Sequence, residues 1–76
     1  MKLVEGLRYR ARIHLGVFEQ VASNAAIRER LEGAGFMNVA VGGSGRDRTA
    51  EGTWGWPTQD ADLPDQIVAA SVEVLT

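Results

Sequence analysis

The stretch LRYRARIHLGV, residues 7–17, decides the fold of this protein. Its odd positions are all apolar, whereas its even positions hold three arginines, a histidine and a glycine. Successive side chains of a β-strand point to opposite faces of a sheet, so this alternation is typical of a strand with one buried face and one solvent-facing face. We therefore predict a first strand over residues 7–15, with Ile13 in the core and Arg10 outside it.

A helix is predicted over residues 24–34. Ser23 or Asn24 offers a side-chain acceptor for the free N–H groups of a first turn, and apolar residues then recur at helical spacing. Gly35 suits a position of positive φ just after the helix, because it has no Cβ to clash with the backbone.

Two further strands follow the helix. The second strand carries Met37, Val39 and Val41 on one face, and the glycine-rich segment at residues 42–45 predicts a turn after it. The third strand, at residues 48–56, places both tryptophans of the chain on one face. Residues 57–66 are polar and predict a loop.

The last ten residues allow two interpretations. A strand is favoured by their content of β-branched residues, and a helix capped by Asp62 is the alternative. The predicted fold class is α+β, a small ferredoxin-like β-α-β-β sheet with the helix on one face and a C-terminal strand. A right-handed crossover makes the first two strands parallel, with the third strand between them.

Length and composition exclude several classes of protein. The 76 residues suit one domain, residues 1–76, with a modest core. The chain has no cysteine and one histidine, so we expect neither a disulfide nor a metal site or cofactor within one subunit. No apolar run is long enough to span a membrane, and no secretory leader is apparent. We expect a location in the cytoplasm, or in a virion if the protein is phage-borne.

Part of the sequence resembles a known family. The residues concerned are YRARIHLGVF at 9–18, Asn24-Ala25, Leu31 and Ala34-Gly35-Phe36. Residues 9–36 resemble the first half of the SPOR family, small ferredoxin-like modules that bind peptidoglycan. The second half departs from the pattern, since it lacks a second Gly-x-Phe turn. The resemblance implies a ferredoxin-like fold.

The file of cations on the first strand is the main candidate site. Arg8, Arg10, Arg12 and His14 lie about 6.5–7 Å apart on one side of the strand. They form either a solvated face, screened by a cross-strand acid such as Glu51, or a cationic strip for an acidic neighbour. The acidic segment at residues 60–65 of a second copy could be that neighbour. We do not expect nucleic acid as a partner, because aromatic stacking residues are missing from this face.

The tryptophan pair and the basic turn are the other candidates. Trp54 and Trp56 are either core residues or an exposed aromatic platform, and Arg46 and Arg48 after the glycine-rich turn could grip an anion. The candidate binding residues are Arg8, Arg10, Arg12, His14, Arg46, Arg48, Trp54 and Trp56.

The leading hypothesis is a non-enzymatic interaction or assembly protein. It would act as a homo-oligomer, or with another protein in a larger particle. One alternative is a module that binds a glycan or polyanion through the arginines or tryptophans. Another is a small enzyme with a site shared between subunits around His14.

Overall fold

The computed structural model describes residues 1–15, 23–62 and 68–75. Residues 16–22, 63–67 and 76 lie outside the described residues, and with them the end of the alternating stretch at 16 and 17, Asp65 and part of the predicted loop. The described elements are β1 (Lys2–Leu3), β2 (Arg8–His14), α1 (Asn24–Gly33), β3 (Phe36–Ser44), β4 (Asp47–Trp54), β5 (Gln59–Asp60) and β6 (Val68–Leu75).

Four strands form the main sheet, in the order β3-β4-β2-β6, and β1 pairs with β5 in a separate two-stranded sheet. All of these pairings are antiparallel. Because β4 is antiparallel to both of its neighbours, β2 and β3 run parallel with β4 between them, as predicted. The α+β class is confirmed, and the strand order is consistent with a ferredoxin-like arrangement.

The first strand and the helix are confirmed, except that β2 begins at Arg8 and Leu7, predicted on the buried face, is 39 % exposed. On β2, Tyr9 and Ile13 are buried, whereas Arg10 and Arg12 are exposed, so the alternation sets which face enters the core. In α1 the Ser23 hydroxyl is the N-cap and accepts a hydrogen bond from the Ala26 N–H at 3.0 Å.

The core has two adjoining parts. Ile13 and Leu15 of the first-strand region pack with Ile27 and Leu31 of α1 and with Ala50 of β4. The second part consists of Leu3, Tyr9 and Trp54, and Phe36 packs against both parts. One face of the sheet is therefore covered by α1 and by β1, and Phe36 of β3 packs between them.

The predicted core face of β3 is partly wrong. Val39 and Val41 pack against the core, but Met37 is 49 % exposed and Phe36 takes its place. The register with β4 shifts between Met37 and Ala40, and Asn38 adopts a φ of 53°. This bulge reverses the alternation, because it adds a residue on one strand that has no counterpart on the other.

The C-terminal segment is a strand, not a helix. β6 pairs with the free edge of β2, where Val72 lies opposite Ala11 and Val74 opposite Tyr9. A helix there would have left the backbone groups on that edge of β2 without sheet partners. The register shifts once, since Arg12 lies opposite Ser71 but the next residue of β2 lies opposite Ala69.

Candidate functional site

No described element covers the face of the sheet opposite α1, and we call it the outer face. Residues directly opposite each other on antiparallel strands share a face, so the register defines its members. Every member is exposed or half-buried. The members are Met37, Ala40, Gly42 and Ser44 of β3, Asp47, Thr49, Glu51 and Thr53 of β4, Arg8, Arg10, Arg12 and His14 of β2, and Ser71, Glu73 and Leu75 of β6.

Two of the three arginines on the outer face meet carboxylates of their own chain. The Arg10 guanidinium lies between Glu51 and Glu73, at 3.9 and 3.4 Å from their oxygens. The Arg8 Nε lies 3.8 Å from Glu51, and its Nη1 donates to the Asn38 carbonyl at 3.1 Å. Exposed pairs of this kind stabilise a fold by only about 0–1 kcal/mol each, so their main effect is to neutralise charge.

Arg12 differs from its neighbours. It lies opposite Thr49 on one side and Ser71 on the other, and neither residue carries a charge. Within the described part of the chain, no carboxylate lies within ion-pair distance of Arg12. Its side chain is exposed, with no ionic partner among the described residues.

His14 has a partner on each ring nitrogen. Nδ1 lies 3.2 Å from the Asp47 carboxylate, and Nε2 lies 3.3 Å from the Arg46 guanidinium. A guanidinium can only donate, so Nε2 acts as the acceptor and the proton of a neutral ring is assigned to Nδ1, which donates to Asp47. In this arrangement the Nε2 lone pair is occupied by the Arg46 guanidinium.

The outer face is balanced in charge. It carries three arginines and three carboxylates, Asp47, Glu51 and Glu73, so the excess of positive charge expected when only Glu51 was considered is absent. Asp47 could have been found by continuing the alternation of β4 backwards from Glu51. Glu73 could not have been assigned to this face from the sequence. Its position depends on residues 68–75 forming a strand and on the register of that strand.

The side chains of Arg46 and Arg48 do not form a joint anion-binding site. Arg48 is 7 % exposed, and it donates to Asn24 Oδ1 at 2.7 Å and to the Gly45 carbonyl at 3.1 Å. Arg46 donates instead to the Leu15 carbonyl at 3.2 Å. Ser44 and Asp47 are paired, so the hairpin turn between β3 and β4 consists of Gly45 and Arg46. Through its two hydrogen bonds, Arg48 connects this turn to Asn24 at the start of α1.

Asn24→Ala tests this connection between the hairpin and the helix. The Asn24 side chain accepts from Arg48 and donates to the Gly43 carbonyl at 3.1 Å. Its loss leaves a buried guanidinium with one acceptor fewer, so we expect the free energy of unfolding to fall by about 1.5–3 kcal/mol in urea titrations. The neighbouring cap variant Ser23→Ala should cost about 1 kcal/mol. A smaller loss for Asn24→Ala than for Ser23→Ala would show that Arg48 does not depend on this acceptor.

The two tryptophans have different environments. Trp54 is 1 % exposed, whereas Trp56 lies beyond the end of β4 and is 48 % exposed. Their rings pack edge to face, with centroids 5.7 Å apart. The third strand therefore ends two residues earlier than predicted, and only Trp54 is a core residue.

The described residues offer little for other chemistry. They contain no cluster of three or more histidine or acidic side chains able to hold a metal ion. None of the helices among them is long and apolar enough to cross a membrane. The partly open apolar cavity beneath the sheet, lined by residues such as Leu3, Ala11 and Val72, has a volume of about 30 Å³, whereas a polar depression beside Arg12, His14 and Asp47 measures about 310 Å³. Ligand pockets usually measure about 300–1,000 Å³, so the apolar cavity is too small for most ligands and the polar depression lies at the lower end of that range.

Comparisons with protein-family models, curated proteins and solved structures find no significant match to this chain.

Proposed function

We propose that the protein is a non-enzymatic interaction module that acts by self-association as a homo-oligomer. The observation that carries this proposal is the outer face, an open sheet surface with three arginines and three carboxylates in which Arg12 has no described ionic partner.

The balance of charge supports a second copy of the chain as the partner. A two-fold interface brings the same surface from both subunits together, so the surface has to be complementary to itself. A face that carries both signs of charge meets this requirement. The small core supports the same proposal, because chains of this length often gain stability by association.

The other classes of function have less support. A polyanion binder requires an excess of cations on one face, whereas here the arginines are matched in number by carboxylates. A catalytic role for His14 requires a free ring nitrogen, and Asp47 and Arg46 contact both. Trp56 remains an exposed aromatic residue, and its ring packs edge to face on Trp54.

Native mass tests the proposal. We expect sedimentation equilibrium to give an oligomer whose dissociation constant rises severalfold between about 0.1 M and about 1 M salt, as the Debye length falls from about 10 Å to about 3 Å. A monomer at every protein concentration and salt would overturn the proposal. A change of mass that occurs only when a soluble polyanion such as heparin is added would replace self-association with polyanion binding.

A further inference from the structure

The outer edge of β6 is the most exposed pairing site in the described part of the chain. β6 lies at one end of the sheet order, and no described strand pairs with its outer edge. The opposite edge strand, β3, is interrupted by the bulge at Asn38 and by Gly43 at a φ of 94°, and α1 packs against it. Natural proteins use bulges, backbone irregularities and covering elements of this kind to prevent exposed edge strands from pairing with other chains. β6 has fewer of these features than β3.

The sequence of β6 favours pairing with another strand. It reads VAASVEVL, which contains three valines, one charge and neither proline, glycine nor lysine. Beyond the register shift near Ala69, β6 pairs regularly with β2 from Ser71 to Leu75. Val74 is 49 % exposed although it lies opposite the buried Tyr9, so apolar surface continues to this edge.

Symmetry limits how two copies of β6 can pair. A two-fold axis perpendicular to the sheet keeps both outer faces on the same side, so the axis passes midway between the two copies of one β6 residue, which then lie opposite each other. An axis at Glu73 would place two carboxylates directly opposite each other. An axis at Ser71 would direct the Arg12 side chains of both copies toward each other.

An axis at Val72 removes both conflicts. It places Ser71 opposite Glu73 of the second copy, in line with Arg12 on the neighbouring strand. The Cα atoms of Arg12 and of the second copy's Glu73 are then two strand spacings apart, about 9.5 Å, with only the small Ser71 side chain between them. These two long side chains can meet over the serine, and the two-fold axis repeats the pair.

We propose that two copies of this chain pair through β6 in the antiparallel register centred on Val72, which forms a continuous eight-stranded sheet. Arg12 of each copy binds Glu73 of the other. Glu73 then bridges two arginines, because it already lies 3.4 Å from Arg10 of its own chain. This inference rests on the proposed self-association and places its interface at the β6 edge, where the outer faces of the two copies adjoin and only Arg12 and Glu73 of those faces meet across it.

Single cysteine variants test the register, because the chain has no cysteine of its own. In this register the two copies of residue 72 are about 4.5–5.5 Å apart at Cα, within disulfide range. The two copies of residue 71 are about 8–9 Å apart, beyond that range. On mild oxidation we therefore expect Val72→Cys to form a disulfide-linked dimer, and Ser71→Cys and Glu73→Cys to form far less.

A charge reversal tests the ion pair in the same register. Arg12→Glu places a carboxylate against the second copy's Glu73, so we expect the dissociation constant to rise at least about tenfold, which corresponds to about 1.4 kcal/mol. Arg28→Glu makes the same charge change on the exposed surface of α1, where it loses only an i,i+4 pair with Glu32, and should leave the constant unchanged. Unchanged melting of the diluted variants would confirm that each monomer folds.

The outcomes separate this inference from the proposed function. Cross-linking at Val72 together with a selective effect of Arg12→Glu supports the interface. An oligomer that cross-links best at Ser71 or Glu73, or at none of the three positions, overturns the interface and leaves self-association standing. An Arg12→Glu effect no larger than that of Arg28→Glu overturns the ion pair. A monomeric wild-type protein overturns both proposals.

Discussion

Leu31→Asp is expected to abolish folding of this protein. Leu31 is 5 % exposed and packs in the core with Ile13, Ile27 and Ala50. A carboxylate at this position would be buried among apolar side chains, and burial of an unpaired charge costs several kcal/mol. A chain of this length has a total stability of about 4–11 kcal/mol. We expect loss of the cooperative thermal transition and of the near-ultraviolet circular dichroism of the tryptophans.

Arg30→Asp provides the matched control for this variant. Arg30 precedes Leu31 on the same helix and is exposed, so the introduced residue and its helix propensity are the same. We expect the control to retain a cooperative melt, with a loss of about 1 kcal/mol from the lower helix propensity of aspartate and its unfavourable place in the last turn. If the two variants melt alike, α1 does not pack on the sheet through Leu31.

Gly35→Ala is expected to have the second largest effect, a loss of at least about 3 kcal/mol. Gly35 has a φ of 117°, where side chains other than hydrogen are strained by about 1–3 kcal/mol. An added Cβ would also lie 2.8 Å from the ring of Trp54 and 2.7 Å from that of Trp56. Trp54 is fully buried against Phe36, so relief of the clash requires repacking of the second part of the core. Urea titration with tryptophan fluorescence measures both the stability and the altered packing.

Gly33→Ala is the corresponding control. Gly33 is the last residue of α1, and a Cβ there would meet nothing within 4 Å. Alanine is favoured over glycine in a helix, so this variant should be as stable as the wild type or up to about 1 kcal/mol more stable. A Gly35→Ala protein as stable as the Gly33→Ala protein would contradict the described approach of the tryptophans to Gly35.

Local sequence pattern determined the parts of the fold that depend on near neighbours. The alternation of residues 7–15 predicted which face of β2 is buried, because a period of two has only one register that places Tyr9, Ile13 and Leu15 together in the core. The capping residue Ser23, the helical spacing of Ile27 and Leu31 and the glycine at 35 predicted α1 and its end. These signals act within a few residues of each other, so they can be read from the chain alone.

The candidate site depended on contacts between distant parts of the chain. The bulge at Asn38 moved Met37 out of the core, and the end of β4 at Trp54 left Trp56 half exposed. Glu73 reached Arg10 only because residues 68–75 paired with the free edge of β2 in one particular register. The sequence alone determined that three arginines share one face. The tertiary structure decided which of them are neutralised, because the distances between charges on different strands are set by strand pairing and not by separation along the chain.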